Sequence, residues 1–156
     1  MDADMIQRKN PRLLYFDYSS SRYYFVTICT VDRRCLFGKI HLTEENGKMI
    51  LNQNGSIVLR HIQELSQRYD TVRVDHYTIM PNHLHMIMEL DNHNTVTLSQ
   101  IIGLFKSGVS RELGFSVWQR SFHDHIIRSE KDYKAIWYYV DNNPAKWAMD
   151  KYFLSE

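Results

Sequence analysis

The order of hydrophobic patterns along the chain predicts an α+β fold of the ferredoxin-like, split βαβ kind. That fold is an antiparallel sheet with two helices on one face and, here, an extra C-terminal helix. Three observations lead to it. Short runs of aromatic and β-branched residues with period-two alternation recur along the sequence. Two windows between them repeat apolar residues at helical spacing. A third helical window follows the last strand, and the uncovered sheet face is the place left for it.

Composition sets the bounds. The 156 residues suit one domain, 1–156, with an irregular arm over 1–20 that contains the basic residues Arg8, Lys9 and Arg12. Hydrophobic content of 44% and charged content of 24% are ordinary for a globular chain. No apolar run approaches the roughly 18 residues of a membrane span. The opening Met1-Asp2-Ala3-Asp4 has no signal pattern. A cytoplasmic protein without membrane partners is expected. Cys29 and Cys35, with no CxxC, suggest neither a zinc knuckle nor a disulfide framework. A net charge of +1 is low for a strong duplex binder. Ten tyrosines in a chain that is 13% aromatic pull the other way, because exposed rings stack on unpaired bases.

In chain order, Tyr23 to Thr30 is dense in aromatic and β-branched residues and reads as the first strand. Residues 35–51, with the Glu45-Asn46-Gly47 turn signal, read as a short hairpin or excursion. Ile57, Leu59, Ile62, Leu65 and Tyr69 mark a helix over about 54–69. Thr71 to Ile79 is the second strand, turned by Pro81-Asn82 into the third. Leu98, Ile101, Ile102, Phe105, Val109 and Leu113 mark the next helix, with Gly114 as its stop. Phe122 to Arg128 alternates like a strand. Ser129-Glu130-Lys131-Asp132 resembles a capping box for a last helix, which Asn143-Pro144 ends.

The chemistry concentrates in Met80-Pro81-Asn82-His83-Leu84-His85-Met86-Ile87-Met88-Glu89. On a strand, His83, His85 and Ile87 share one side, while Leu84, Met86, Met88 and Leu90 share the core side. Two neutral imidazoles side by side on a stiff strand can hold a cation. The same pattern also fits two histidines decorating a half-exposed strand. On the last helix, Tyr139 and Asn143 stand four apart on one face, with Tyr133, Ile136 and Val140 as its packing stripe. A tyrosine and a carboxamide can thus be offered together to the histidines, although the helix pattern by itself reads Tyr139 as an ordinary surface ring.

With these residues in view, the chain resembles the REP-associated tyrosine transposases, single-tyrosine DNA transposases of the HUH class (His, hydrophobic, His). The similarity runs from about Arg12 to Trp147. Its landmarks are Phe16-Asp17-Tyr18, Tyr24 to Thr30, Leu51-Asn52 with Gly55, and Met80 to His85. Further on come Phe105-Lys106-Ser107, Trp118 to His125 and Tyr139-Val140-Asp141-Asn142-Asn143-Pro144. The resemblance implies that His83 and His85 bind a divalent metal, with Asn143 completing its shell. It also implies that Tyr139 attacks DNA, with Tyr138 as the neighbouring alternative, and that a 5′-phosphotyrosine intermediate forms while a 3′ hydroxyl is released. Two imidazoles and an amide leave positions open for phosphate and water, which suits Mg²⁺ or Mn²⁺. Single-stranded or hairpin DNA is the implied partner. A homodimer is expected from the resemblance and from the apolar first strand, which could pair at a sheet edge.

Arg33, Arg34, Lys106, Arg120 and Arg128 are the basic residues nearest these elements, and can contact phosphates or simply be surface charges. Trp118 and Phe122 fit base stacking or core packing. His123-Asp124-His125 is a second alternating pair that reads mainly as strand surface. Three functions compete: a tyrosine-nucleophile endonuclease and strand transferase, a zinc hydrolase lacking an evident third strong ligand, and a non-catalytic ferredoxin-like nucleic-acid-binding module.

Overall fold

The computed structural model describes residues 21–43 and 46–149; the expected arm over 1–20 lies outside them. The elements are β1 (Ser21–Cys29), β2 (Gly38–Leu42), β3 (Gly47–Leu51), α1 (Gln53–Arg68), β4 (Val72–Met80), β5 (His83–Asp91), α2 (Leu98–Leu113), β6 (His123–Ile127) and α3 (Glu130–Asn142). Short 3₁₀ turns follow β1 at Val31–Arg33 and α3 at Pro144–Met149. The helices start where side chains satisfy orphan amides. Asn52 accepts from the Gly55 amide, and Ser129 accepts from the Asp132 amide. The full capping box is at α2, where Thr97 and Gln100 exchange hydrogen bonds. At α3 the Asp132 carboxylate instead pairs with His125 Nε2, 2.8 Å away. Gly114 closes α2 at φ 83°, a left-handed angle suited to glycine.

The main sheet runs β4-β5-β1-β6, antiparallel throughout. β5 to β1 registers His83 with Cys29 and His85 with Thr27, and β1 to β6 registers Thr27 with His123. Paired residues share a face, so the sheet has two distinct sides. One side sends Val26, Ile28, Leu84, Met86, Met88 and Leu90 into the large core with α1 and α2. The other carries Phe25, Thr27, His83, His85 and Ile87, and α3 lies across part of it. There Tyr23, Ile87, Ile127, Tyr133, Trp137 and Val140 form a smaller core. The expected stripe of Tyr133, Ile136 and Val140 packs inward as anticipated, with Trp137 buried as well.

One expectation fails. β1 is flanked by β5 on one side and β6 on the other, so it offers no edge for a second copy. The edges are β4 and β6, and β4 is interrupted by a register shift between Val74 and His76. The excursion over 35–51 is a separate two-stranded sheet, β2-β3. It packs on the segment after α3: a Cβ added at Gly47 would stand 2.5 Å from the Pro144 carbonyl oxygen. No helix among the described residues is long and apolar enough to cross a membrane.

Candidate active site

His83 and His85 open β5, fully buried beside one another, with ring centroids 4.8 Å apart. Their Nδ1 atoms are both engaged. The Asn82 amide nitrogen donates to the Arg33 carbonyl at 3.2 Å, which leaves Asn82 Oδ1 to face His83 Nδ1 at 2.9 Å. An amide oxygen only accepts, so Nδ1 carries the proton and Nε2 is the lone-pair nitrogen of neutral His83. Asp32 and Arg33 take positive φ angles of 54° and 55° where this carbonyl is presented. For His85, Nδ1 lies 2.8 Å from the Thr27 hydroxyl, the cross-strand neighbour set by register. Both rings therefore offer Nε2 as the nitrogen for a ligand.

α3 brings the tyrosine. The Tyr139 ring meets His85 edge-on with centroids 5.4 Å apart, and meets Phe25 at 6.0 Å. Tyr139 remains 45% exposed. Tyr138 packs instead against Trp137, off the histidine pair. Asn143 is buried, and its Oδ1 has no hydrogen-bond partner among the described residues. It keeps right-handed helical angles, φ −58° and ψ −44°, although Pro144 follows and disfavours them. His76, on the same sheet face, stacks on Trp137 at 4.3 Å, with Nε2 3.3 Å from Asp141. Trp147 tilts over His83 at 6.3 Å. Asn82, Thr27, His76, Asp141 and Trp147 escape a sequence reading because their partners are distant along the chain; only the Pro81-Asn82-His83 junction pointed toward Asn82.

Two imidazoles with Nδ1 engaged beside a phenol suit a divalent cation with open positions, and Asn143 follows Tyr139 by one helical turn with a buried acceptor oxygen. Among the described residues no group of three or more His, Cys, Asp or Glu side chains gathers into a metal cage.

The basic residues divide. Arg33 and Arg34 are exposed beside the Asn82 end of the site. Arg120 is exposed on the loop before β6. Lys106 Nζ is committed to the backbone, donating to the Gln119 carbonyl at 2.9 Å and the Ser121 carbonyl at 2.8 Å. Arg128 follows β6 at the opposite end of the sheet, with Ser21 and Asp91. That is about 20 Å along the strands from His83 at roughly 3.3 Å per residue. Trp118 is buried against Phe37 and Phe105, and Phe122 packs at the margin of that core. His123 and His125 lie on the histidine face but are exposed.

At the far end of that face is a polar network. The Tyr133 hydroxyl donates to Asp75 at 3.0 Å, Arg73 bridges Asp75 and Glu89, and the Ser21 hydroxyl donates to Glu89 at 2.9 Å. Burial, then the Asp75 charge, pushes the Tyr133 phenol far above the ordinary tyrosine range. Burial, then Glu89, does the same to Tyr23. Burial also raises the Asp75 carboxyl. This end is a structural anchor for α3.

Three comparisons place the chain among known proteins. An uncharacterized protein of Haemophilus influenzae is 34% identical over 179 residues, covering 98% of this chain and 97% of that one. A second Haemophilus influenzae protein, named "Putative REP-associated tyrosine transposase", is 25% identical over 144 residues, covering 83% of this chain and 74% of that one. A solved structure of a REP-associated tyrosine transposase bound to a REP hairpin shares the fold, with a TM-score of 0.67 at 20% identity, covering 90% of this chain and 76% of that one. No family model matches.

Proposed function

We propose, for a chain that resembles the REP-associated tyrosine transposases in sequence and in fold, that it is a DNA-processing enzyme of that type. It cleaves and rejoins single-stranded or hairpin DNA through Tyr139. The observation that supports this most is the meeting of Tyr139 with His85 on the sheet face of the buried histidine pair, within one chain.

His83 and His85 through Nε2, and Asn143 through Oδ1, would hold Mg²⁺ or Mn²⁺. Such an ion would offset charge on the phosphate and help orient the scissile bond. The chain's own groups do the rest. The Asn82 amide fixes the tautomer of His83, and Thr27 fixes the ring of His85. Stacking of His76 on Trp137, with Asp141 3.3 Å from its Nε2, holds the C-terminal half of α3 over the site. The Tyr139 hydroxyl gives its proton to solvent water and its oxygen forms a bond to phosphorus; the bond to the 3′ oxygen breaks and that oxygen takes a proton from solvent water. The phosphotyrosine ester keeps the energy of the phosphodiester, so reversal joins a strand without nucleotide consumption. A phenol is mostly protonated at neutral pH, so Tyr139 must be activated before it attacks.

Arg33, Arg34 and Arg120 are the basic side chains suited to phosphate contact near this site. Arg128 lies too far along the sheet to share it, and Lys106 acts through the loop it holds. A homodimer stays in the proposal on the resemblance alone; light scattering at tens of micromolar reads it directly.

The test is a covalent adduct. Wild-type protein, Mn²⁺ and a single-stranded oligonucleotide carrying a hairpin should give a protein–DNA species stable to boiling in detergent, and peptide mapping should place it on Tyr139. Tyr139→Phe should abolish it and still bind the hairpin, because one hydroxyl adds little to a contact made by phosphates and stacking. If Tyr138→Phe and Tyr139→Phe both cleave normally, the tyrosine mechanism is wrong. Binding without an adduct in the wild type would favour the non-catalytic module.

A further inference from the structure

We propose that the small cavity between Cys29 and the loop 119–123 receives the unpaired base next to the phosphate that Tyr139 attacks. The proposal rests on reading the histidine face as the cleavage site, and deepens it by naming where the adjoining nucleotide sits.

Position is the first argument. Cys29 is the register partner of His83, and His123 stands across Thr27 from His85. The cavity therefore begins one strand spacing, about 5 Å, from the histidine strand. Its volume is about 300 Å³, and its lining is Cys29, Gln119, Arg120, Ser121, Phe122 and His123. That is the lower end of the range for small-molecule sites, a scale that suits one base. Cys29 and Phe122 give apolar wall, and Gln119, Arg120 and His123 give polar groups at the rim. The Arg120 and His123 side chains are exposed and engaged by no other described residue. A base presents flat apolar faces and hydrogen-bonding edges between charged phosphates, and this mixture matches each part.

The second argument is how the loop is built. Ser121 holds φ at 98° without being glycine, an angle that persists only where the surroundings enforce it. Here they do. Lys106 Nζ ties the carbonyls on either side of Arg120, at Gln119 and Ser121. The Gln119 amide donates to the Cys29 carbonyl at 2.9 Å, and Trp118 bridges to Thr30. A surface loop with no ligand to shape for has little use for two tied carbonyls and a left-handed serine. Lys106 is thus a positioning residue for the cavity, acting from α2 on the other side of the sheet.

The experiment measures binding in the Tyr139→Phe background, so that cleavage does not intervene. The probes are a fluorescein-labelled DNA hairpin with an oligothymidine tail, the same hairpin without a tail, and tailed hairpins with an abasic site walked along the tail. One abasic position should weaken binding about tenfold, as expected for loss of one stacked base. Gln119→Trp, which fills the cavity, should weaken the tailed hairpin about tenfold and leave the tailless one unchanged. On that variant the abasic site should cost nothing further, the signature of a shared contact. Lys106→Met should give the same tail-specific loss with an unchanged salt slope. A fall in that slope of about one would mean that Lys106 contacts a phosphate directly and would overturn its assigned role. Equal losses on tailed and tailless probes, or additive losses for Gln119→Trp and the abasic site, overturn the cavity assignment. Should Gln119→Trp fail to fold, His123→Ala at an exposed rim position carries the same comparison. Failure of the wild-type chain to form any Tyr139 adduct would sink the cleavage reading instead, and the two failures are read in separate assays.

Discussion

The two faces of the main sheet divide the labour of the molecule. The face under α1 and α2 is apolar through its middle, with Val26, Ile28, Leu84, Met86 and Met88 all fully buried. The face under α3 buries Thr27, His76, Thr78, His83 and His85 among a much smaller apolar cluster. Alternation along a strand makes this possible: a single run, His83 to Asp91, contributes to both faces residue by residue. Stability is concentrated where packing is dense. The proposed chemistry sits where polar groups can be buried, because the opposite face holds the strands in place.

The largest effect that can break this division is on the packed face. Phe105→Ala should cost about 3–5 kcal/mol, the usual range for a buried aromatic. Urea denaturation reads it, and a loss below 1 kcal/mol would mean the apolar face is not the main source of stability. His85→Ala lies directly across the sheet and should cost far less, roughly 1–2 kcal/mol for the ring and its Thr27 contact, yet abolish the DNA adduct. Unfolding of this variant at room temperature would collapse the distinction between the faces.

Tyr133→Phe sharpens the comparison within the α3 face, since it touches the anchoring end and not the histidine end. It removes the Tyr133 hydroxyl from the buried Asp75, which keeps its contact with Arg73, and should cost about 1–3 kcal/mol at neutral pH. It should also change the alkaline limb of stability. In the folded chain Tyr23 and Tyr133 are held protonated well above their ordinary range, while in the unfolded chain both ionise near pH 10. Their contribution is thus fully present below about pH 10 and is lost as pH rises from there, because unfolding then releases protons. Stability measured from pH 8 to 11 should fall, and fall less steeply in Tyr133→Phe. The smallest effect belongs to Tyr138→Phe. Tyr138 is 42% exposed and packed edge-on against Trp137, so a change within 0.5 kcal/mol and normal adduct formation are expected.

Much of this layout was legible in the sequence because its signals are periodic and local. The His83/Leu84/His85/Met86 alternation assigned both faces of β5, and the stripe of Tyr133, Ile136 and Val140 oriented α3 well enough to place Tyr139 on the histidine side. The elements fall within about two residues of the ranges read from pattern. What the sequence could not show depends on register between distant segments. β1 looked like a candidate edge because its composition says nothing of its neighbours, and only the pairing with both β5 and β6 reveals it as interior. Lys106 looked like a phosphate contact; its carbonyl partners lie 13 and 15 residues away across a loop. His76 had no motif at all, since its meaning comes from Trp137 and Asp141 on another element.

The closeness of Gly47 to Pro144 has a mechanical consequence. With no side chain between β3 and the residue after Asn143, the end of α3 rests directly on the hairpin backbone, like a shaft on a bearing without a washer. Gly47→Ala would insert that washer and displace the segment carrying Asn143, although position 47 never meets DNA in the proposed mechanism. Lys48, next along β3, is exposed. A spin label there would register any lifting of α3 as a change in its distance from a second label on the sheet, and the hairpin becomes the dial on which movement of the tyrosine helix is read.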